Sequence, residues 1–485
     1  MLFNSYIFLL VFLPVTFLLF RLFQVCRWST LAKGWLVASS LCFYGYFKPD
    51  YLPIIIISIL LNYSIGRGML ANQPRRGLRT LLLTIGCCLN VGILVYYKYS
   101  GFLLNNLNLV FSTSYNFPFL EDLVLPLGIS FYTFQQLSYV IDCYSAKCQK
   151  YSLLEYSLFV TFFPQLIAGP IVLPSEMLPQ FNEAGKSHFS LENFSEGGFM
   201  LVCGLAKKCF LADTLAIIAD VGFATDIPLR LADAWLISLS YTLQLYFDFS
   251  GYCDMAMGLA RMFNIELPMN FNSPYKSTDF QDFWRRWHIT LGRFMMIYLY
   301  IPMGGNRKGG FRTSFNLFCV FLISGLWHGA GWLFLIWGGL HGLSIIIHRF
   351  WRKLMDKRYH AFKIPRRVAV AITFVCVNIL WVFFRAPDLL RACRLLKYMG
   401  GVYSWKLNIS RPFTRVLESA GNFSKECLVW TVIICLAIIF VLPNTQQMLQ
   451  RLKNHRWIMA ILTGVFGWLG FICISRMSPF LYFNF

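Results

Sequence analysis

Two histidines lie next to or within apolar and aromatic stretches of the sequence. His288 ends the segment Phe283-Trp-Arg-Arg-Trp-His288, and His328 lies within Gly325-Leu-Trp-His-Gly329, far from any charged residue. Ionisable side chains inside membrane segments are costly and usually functional. A neutral imidazole accepts a proton near physiological pH, so it can act as a general base. We therefore predict that both histidines take part in chemistry. The alternative is that each is a buried histidine bridging packed helices, which is the interpretation we prefer for His341.

Acidic and basic residues occur close to these histidines in the sequence. Asp248 and Asp254 lie in an apolar stretch and can accept hydrogen bonds from a buried histidine or from Arg285 and Arg286. A purely structural ion pair is the alternative, and it is slightly favoured for both aspartates. Asp282 precedes the two arginines by three and four residues, a spacing that predicts pairing on one helix face.

The surrounding sequence is that of a membrane protein. Of 485 residues, 57% are apolar and only 13% are charged, so a soluble fold has too little polar surface to cover its apolar residues. Apolar runs approach the length of about 20 residues that crosses a bilayer. The predicted fold is all-α and integral to the membrane, with about 11–13 transmembrane helices plus re-entrant or interfacial helices. The predicted spans lie near 5–24, 30–47, 51–66, 80–97, 123–143, 152–172, 197–212, 232–252, 314–327, 330–348, 368–385, 427–443 and 456–474.

The formal net charge of +21 is explained by topology rather than by nucleic-acid binding. Basic residues cluster in short loops, as the positive-inside rule predicts. The basic loop 349–367 should be cytoplasmic, which places 386–426 and the tail 476–485 on the exterior side. The first span is predicted to be uncleaved, with its N-terminus outside. Residues 260–312 mix arginine, tryptophan, glycine and proline, which favours re-entrant helices buried in protein.

Several classes of function have no support in the sequence. The chain has 15 cysteines, but their spacing matches no metal-ligand pattern, so we predict no metal site and no obligatory disulfide. Phosphate-binding loops, serine-hydrolase elbows and dinucleotide-binding glycine patterns are also missing. An ATP-driven pump, a serine hydrolase and a dehydrogenase are therefore disfavoured. The aromatic tail 478–485 is typical of an interfacial belt, but a tail after the last span can also fold back into a pore.

These motifs together resemble the membrane-bound O-acyltransferase family, in particular the bacterial branch that contains the membrane subunits of alginate and peptidoglycan O-acetylation. The resemblance covers nearly the whole chain. It rests on Leu2-Phe-Asn-Ser-Tyr-Ile-Phe, Pro126-Leu-Gly-Ile-Ser-Phe-Tyr-Thr-Phe-Gln135, Phe162-Phe-Pro-Gln-Leu-Ile-Ala-Gly-Pro170, Tyr246-Phe-Asp-Phe-Ser-Gly-Tyr252, Phe283-Trp-Arg-Arg-Trp-His288, Gly304-Gly-Asn-Arg307 and Gly325-Leu-Trp-His-Gly329.

The resemblance implies a single domain, 1–485, in which tilted helices surround a central funnel. Peripheral helices would occupy about 1–120, the catalytic core about 121–350 and further helices about 365–474 of that domain. His328 matches the signature histidine of the family and His288 its second motif residue. The donor would be a cytoplasmic thioester, acetyl-CoA, with no tightly bound cofactor. The residues expected to bind substrate or to support catalysis are Asp248, Arg285, Arg286, Trp287, Trp327, Gln135 and Asn306.

The tail Phe480-Leu-Tyr-Phe-Asn-Phe485 resembles a C-terminal motif of the same acetylation proteins, whose tyrosine is proposed to carry the acyl group. Tyr482 is accordingly a third predicted catalytic residue. The resemblance further implies a bacterial inner-membrane location, contact with lipid, and an exterior SGNH-type O-acetyltransferase as partner.

The opening Met-Leu-Phe-Asn-Ser-Tyr favours peptidoglycan as acceptor. Relatives often have Arg-Asp where this chain has Met296 and Ile297, which argues against close identity with the alginate proteins. The alternatives are acetylation of alginate or another exopolysaccharide, D-alanyl transfer to teichoic acid, a non-covalent transporter of the acyl donor, and a scaffold subunit.

Overall fold

The computed structural model describes residues 1–117, 123–186, 188–358, 364–421, 424–474 and 480–481. Within these ranges the secondary structure is helical and no β-strand occurs. The prediction of an all-α fold is thereby confirmed. The helices of the N-terminal half are α1 (Leu13–Val25), α2 (Ser29–Gly45), α3 (Leu52–Ala71), α4 (Arg76–Leu94), α5 (Ser100–Phe111), α6 (Ile129–Tyr144), α7 (Leu153–Thr161), α8 (Phe163–Leu166), α9 (Pro174–Ala184), α10 (Leu191–Ala206) and α11 (Asp213–Ala224).

The remaining helices include a long central one and a group of short ones. They are α12 (Leu231–Met262), α13 (Phe280–Arg286), α14 (Ile289–Met295), α15 (Gly309–His328), α16 (Trp332–Arg358), α17 (Arg366–Arg385), α18 (Leu389–Met399), α19 (Arg411–Gly421), α20 (Lys425–Val441), α21 (Thr445–Leu452) and α22 (Arg456–Cys473). π-Helical turns precede α1 (Phe8–Phe12), follow α4 (Val95–Tyr99), separate α10 from α11 (Lys207–Ala212) and extend α14 (Met296–Tyr300). Short 3₁₀ turns occur at Pro49–Tyr51 and Pro274–Lys276.

Many of these helices are suited to cross a bilayer. Among the described residues, seven helical segments are long and apolar enough to do so. They are Phe8–Val25, Pro49–Ala71, Arg76–Phe111, Gly309–His328, Trp332–Met355, Arg366–Arg385 and Arg456–Cys473. The pair Glu426–Val441 and Thr445–Leu452, bent by 59°, adds an eighth if it is counted as one broken span. The chain is therefore a multi-pass membrane protein.

Five further predicted spans contain helices that differ from these seven. The prediction at 30–47 corresponds to α2, which has 17 residues. The prediction at 123–143 corresponds to α6 and that at 197–212 to α10, which have 16 residues each. The range 152–172 contains the two short helices α7 and α8, and the range 232–252 lies inside α12. Although α12 has 32 residues, the buried residues Asp233, Asp248 and Asp254 make it polar. Protein contacts rather than lipid can accommodate such a helix.

The chain divides into two compact units. The first comprises Met1–Leu201 and Cys253–Pro268. Phenylalanine rings build much of its interior: Phe8, for example, contacts Phe43 and Phe163 with ring centroids 5.8 and 6.1 Å apart. A nearly buried ion pair, Lys33–Glu155 at 2.9 Å, also lies within it.

The second unit comprises Val202–Tyr252 and Met269–Phe485. It contains the helical hairpin of α15 and α16, whose connection is only Gly329–Gly331. It also contains both histidines singled out above. Within it, the segment 269–312 is divided into the short helices α13 and α14 and a π-helical turn, as the mixture of polar and breaking residues predicts. The positions of these elements relative to the bilayer stay a prediction.

Candidate active site

His288 lies at a sharp break between α13 and α14. Its φ and ψ angles are 45° and 51°, in the left-handed region that residues other than glycine rarely adopt. A loop residue, Asn270, supports this conformation. The Asn270 carbonyl accepts the N–H of Ile289 at 3.0 Å, and its side-chain Oδ1 accepts the N–H and hydroxyl of Thr290 at 3.2 and 2.9 Å. Asn270 thus holds the first turn of α14 from two sides.

The same asparagine determines which nitrogen of His288 carries the proton. His288 Nδ1 lies 3.1 Å from Asn270 Oδ1. A backbone N–H can only donate, so the bond from Thr290 identifies that amide atom as the oxygen. Oxygen can only accept here, and His288 Nδ1 must therefore donate. The neutral imidazole then has its basic lone pair on Nε2.

His328 is placed by a close contact between two regular helices. It is the last residue of α15, and the hairpin partner α16 approaches at two glycines. A Cβ atom at Gly325 would collide with the carbonyl oxygen of Phe334, and one at Gly338 with that of Phe321. Small residues permit this backbone approach, as at many membrane helix interfaces. The position of His328 thus depends on the lack of a side chain at Gly325, one helical turn earlier, and at Gly338 on the facing helix.

The two histidine rings lie close together in a buried aromatic environment. Their centroids are 6.3 Å apart at an interplanar angle of 61°. His328 is only 2% exposed and His288 is fully buried. The rings of Trp327, Trp337 and Phe384 pack on His328 with centroids 4.9, 5.1 and 5.3 Å away. A reacting group between the two imidazoles would be shielded from water, which favours acyl transfer over hydrolysis.

A third histidine, His341, is separated from this pair by the ring of Trp337. Its ring is 4.9 Å from that of Trp337, which in turn contacts His328. Trp284 Nε1 donates to His341 Nδ1 at 3.3 Å. Since an indole N–H can only donate, Nδ1 of His341 is an acceptor. The aromatic contacts agree with the packing role predicted for this residue.

Asp248 has a different partner from those predicted. Its Oδ1 lies 2.6 Å from Lys208 Nζ, and Arg286 instead pairs with Asp282 at 2.8 Å, as its helical spacing predicts. Arg285 is exposed. The possible contact of Asp248 with these two arginines is not formed, because Lys208 pairs with the carboxylate instead. The slightly favoured interpretation, a structural ion pair, therefore applies to Asp248.

The described part of the C-terminal tail lies beside His288. The N–H of Leu481 donates to Asp248 Oδ2 at 2.9 Å. Phe480 stacks on Tyr252, with centroids 4.7 Å apart, and contacts Phe249 at 5.6 Å. The ring of Phe249 meets the His288 ring edge-on at 4.8 Å. Tyr482, the predicted carrier, lies outside the described residues, and its role stays a prediction.

A cavity of about 590 Å³ is lined in part by α13 and α14. Such a volume is typical of small-molecule sites. Its wall combines apolar side chains with three arginines and ends at Ser324, one helical turn before His328. The lining includes Trp284, Arg285, Arg293, Asn306, Val320, Phe321, Ser324 and Arg349. A second cavity of about 1270 Å³ shares Gln281 and Arg349 with the first and adds Arg352 and Lys353.

The other predicted supporting residues have varied surroundings. Trp287 is buried against Phe271 and Trp381, each with centroids 5.0 Å away, and the Trp327 ring is 5.9 Å from that of His288. Asn306 accepts a hydrogen bond from the Tyr300 hydroxyl at 2.9 Å. Gln135 is buried in the first unit, on α6. Any functional role for these residues stays a prediction.

Sequence reasoning missed two residues that the structure brings into the site. Asn270 orients His288 and Lys208 binds Asp248. Asn270 is 18 positions from its histidine, so no helical periodicity connects the two. Lys208 carried a weak signal: a lysine within an apolar helical run must find an acidic partner or remain a buried charge.

The fold and the buried histidine pair define a membrane enzyme that transfers acyl groups. The model of the membrane-bound O-acyltransferase family matches residues 77–386, and the chain belongs to this family. It is 41% identical to a peptidoglycan O-acetyltransferase of Helicobacter pylori, an alignment that covers 100% of this chain and 98% of the relative. It is also 41% identical to a probable alginate O-acetylase of Pseudomonas putida, covering 84% and 82%. A teichoic acid D-alanyltransferase of Streptococcus thermophilus is 28% identical over 46% of this chain and 57% of its own length.

Proposed function

We propose that this protein takes an acetyl group from a cytoplasmic thioester, acetyl-CoA, and passes it through Tyr482 for O-acetylation of peptidoglycan. The observation that carries this proposal is the buried pair of imidazoles 6.3 Å apart, with the last described residues of the tail packed on Phe249 beside His288. A phenol or sugar hydroxyl is a weak nucleophile at neutral pH, and an adjacent imidazole activates it by accepting its proton.

In the proposed first step, the Tyr482 oxygen forms a bond to the acetyl carbonyl carbon, and the carbon–sulfur bond of the thioester breaks. His328 accepts the phenolic proton and returns it to the departing thiolate, which leaves as free CoA thiol. His288 donates a hydrogen bond from Nδ1 to Asn270. Its Nε2 can therefore accept a hydrogen bond from the reacting hydroxyl group and orient it. In the second step a sugar hydroxyl takes the acetyl group and the tyrosine is regenerated.

The cavity beside α13 fits the donor. The cavity has three arginines that suit the phosphate groups of CoA, because one guanidinium group can donate two parallel hydrogen bonds to a phosphate. They are Arg285, Arg293 and Arg349. Its apolar wall along α15 suits the pantetheine arm. The neighbouring cavity adds the cations of Arg352 and Lys353 in the loop predicted to be cytoplasmic. We propose that CoA binds only as a substrate and that no cofactor is retained.

Full-length similarity favours peptidoglycan as the acceptor, because the alignment with the H. pylori protein covers almost all of both chains. An exopolysaccharide such as alginate is the second candidate, since the P. putida relative is equally identical over a shorter alignment. We further propose a location in the bacterial inner membrane, surrounded by lipid, and an exterior SGNH-type O-acetyltransferase that completes transfer to the sugar.

The test is incubation of the purified protein with radiolabelled acetyl-CoA, followed by mass spectrometry of the C-terminal peptide and counting of label on added glycan. We expect an acetyl ester on Tyr482 that turns over when acceptor and partner enzyme are added. Tyr482→Phe should abolish the adduct and the transfer. Normal transfer by that variant would refute the carrier role.

The same assay separates the competing functions. A transporter without covalent chemistry would keep its flux in His328→Ala, and a scaffold subunit would tolerate changes at both histidines. A D-alanyltransferase would accept label from a D-alanyl carrier protein and not from acetyl-CoA. Transfer from acetyl-CoA that depends on His328 would exclude all three.

A further inference from the structure

Three charged side chains are buried together, one from the π-helical turn before α11, one from the start of α11 and one from α12. Lys208 Nζ lies 2.8 Å from Asp213 Oδ1 and 2.6 Å from Asp248 Oδ1. Their side chains are 4%, 5% and 1% exposed, respectively. We call Lys208, Asp213 and Asp248 the lysine–aspartate cluster. Burying such charges is costly, and the catalytic steps described above do not use them.

The ammonium group of Lys208 is shared by two buried carboxylates, those of Asp213 and Asp248. A buried carboxylate in this situation is stabilised by further hydrogen-bond donors. Lys208 occupies Oδ1 of Asp248, which leaves Oδ2 directed at another group. That group is the backbone N–H of Leu481, at 2.9 Å. The ion pair therefore orients the carboxylate so that its second oxygen binds the tail.

Side-chain packing reinforces this backbone contact. Phe480 is 3% exposed and stacks on Tyr252, one turn of α12 after Asp248, with an interplanar angle of 27°. It also contacts Phe249, which packs on His288. The backbone of one tail residue and the ring of its neighbour are thus both held by α12, close to the histidine pair.

We propose that the lysine–aspartate cluster anchors the C-terminal tail, and that Asp248 is a positioning residue which fixes the residue immediately before Tyr482. This inference rests on the proposed function, in which Tyr482 carries the acetyl group. Recognition through a backbone N–H does not depend on the side chain at 481.

The sharpest test removes either the donor or the acceptor of the hydrogen bond between Leu481 and Asp248. Leu481→Pro deletes the donating N–H, whereas Leu481→Ala shortens the side chain and keeps that N–H. On the other side, Asp248→Ala removes the acceptor, whereas Asp248→Asn keeps an oxygen. Two quantities are measured on the full-length protein in detergent. They are hydrogen exchange of the C-terminal peptide and the single-turnover rate of Tyr482 acetylation from acetyl-CoA.

We expect Leu481→Pro and Asp248→Ala to increase exchange of the tail by about tenfold or more and to slow acetylation of Tyr482. Leu481→Ala should behave like the parent protein, and Asp248→Asn should be intermediate. The double variant Asp248→Ala/Leu481→Pro should be no worse than either single one, because both changes remove the same bond.

The two measurements separate the anchor from the carrier role. Unchanged exchange in Leu481→Pro and Asp248→Ala would overturn the anchor, whatever the rates. Faster exchange with an unaltered rate of Tyr482 acetylation would support the anchor but overturn the positioning role of Asp248, whereas a parent protein that forms no acetyl adduct on Tyr482 would refute the carrier role alone. Faster exchange together with slower acetylation supports both.

A control addresses general loss of stability. Lys33→Met breaks a comparably buried ion pair, Lys33–Glu155, in the first unit. It should lower the unfolding temperature in detergent but leave exchange of the tail unchanged. Lys208→Met should lower the unfolding temperature and also release the tail. If both lysine variants increase tail exchange equally, the effect reflects general destabilisation and the anchor is refuted.

Discussion

His288 and His328 contribute to one site from opposite kinds of backbone. His288 occupies a left-handed turn between two short helices, and a hydrogen bond from its Nδ1 to Asn270 fixes its orientation. His328 ends a regular helix of 20 residues, placed by contact with its hairpin partner. The first arrangement determines the position of a proton, and the second the position of a ring.

This difference suggests a division of roles. A histidine whose neighbour fixes the lone pair on Nε2 can only accept a hydrogen bond there, so it is suited to orient a hydroxyl group. A histidine held by ring packing in an aromatic pocket is suited to accept and return a proton. The experiments below test this division, beginning with the largest expected effect.

Replacement of His328 should have the greatest effect on catalysis. We expect His328→Ala to lower acetyl transfer between about 10²- and 10⁴-fold, the usual contribution of a general base. The readout is the initial rate of label transfer from acetyl-CoA by purified protein. His188→Ala, which changes an exposed histidine of the first unit, should retain the parent rate. A rate within a few-fold of the parent in His328→Ala would remove this residue from the mechanism.

Loss of the tautomer-fixing contact should come next. Asn270→Leu deletes the acceptor for His288 Nδ1 and for Thr290, so the ring can rotate or change tautomer. We expect a loss of about 10²-fold in the rate, comparable to the effect of a misplaced catalytic group. Asn270→Asp keeps the acceptor oxygen and should retain more activity than the leucine variant. Equal activity of the two variants would contradict the positioning role of Asn270.

Widening the helical hairpin should affect His328 but not His288. Gly338→Val places a side chain against the Phe321 carbonyl, and overpacking of this kind costs about 1–3 kcal/mol. Thermal unfolding in detergent should show the loss, together with a reduced transfer rate. The adjacent Gly339 faces only side chains, at 3.4 Å or more, so Gly339→Val is the matched control. A similar loss in both variants would show that close approach at Gly338 is unimportant.

The smallest expected effect concerns backbone strain at His288. Glycine adopts a φ of 45° without cost, whereas an L-residue pays roughly 1 kcal/mol there. His288→Gly should therefore unfold at a higher temperature than His288→Ala, while both lose the imidazole and its activity. The reverse order of stability would indicate that the turn relaxes when the side chain is removed.

Much of the architecture follows from the sequence because lipid imposes a simple rule. Apolar runs of sufficient length predicted α17 and α22 within two residues at each end. The α15–α16 hairpin was also expected, since the predicted spans 314–327 and 330–348 leave only a short connection. Helix α12 is a harder case, because its aspartates have partners that hydropathy does not reveal.

The sequence by itself determined the class of protein and its two histidines, because isolated ionisable residues in apolar runs are rare and the motifs around them occur in a consistent order. Only the tertiary structure decided which groups act on them. No periodic pattern in the sequence points to Asn270, yet this residue selects the tautomer of His288. Lys208 is the partner that forms the ion pair of Asp248, and Asp248 in turn binds the backbone of Leu481. Hydrogen bonds between distant segments depend on where the folded chain places single atoms, and no local pattern encodes them.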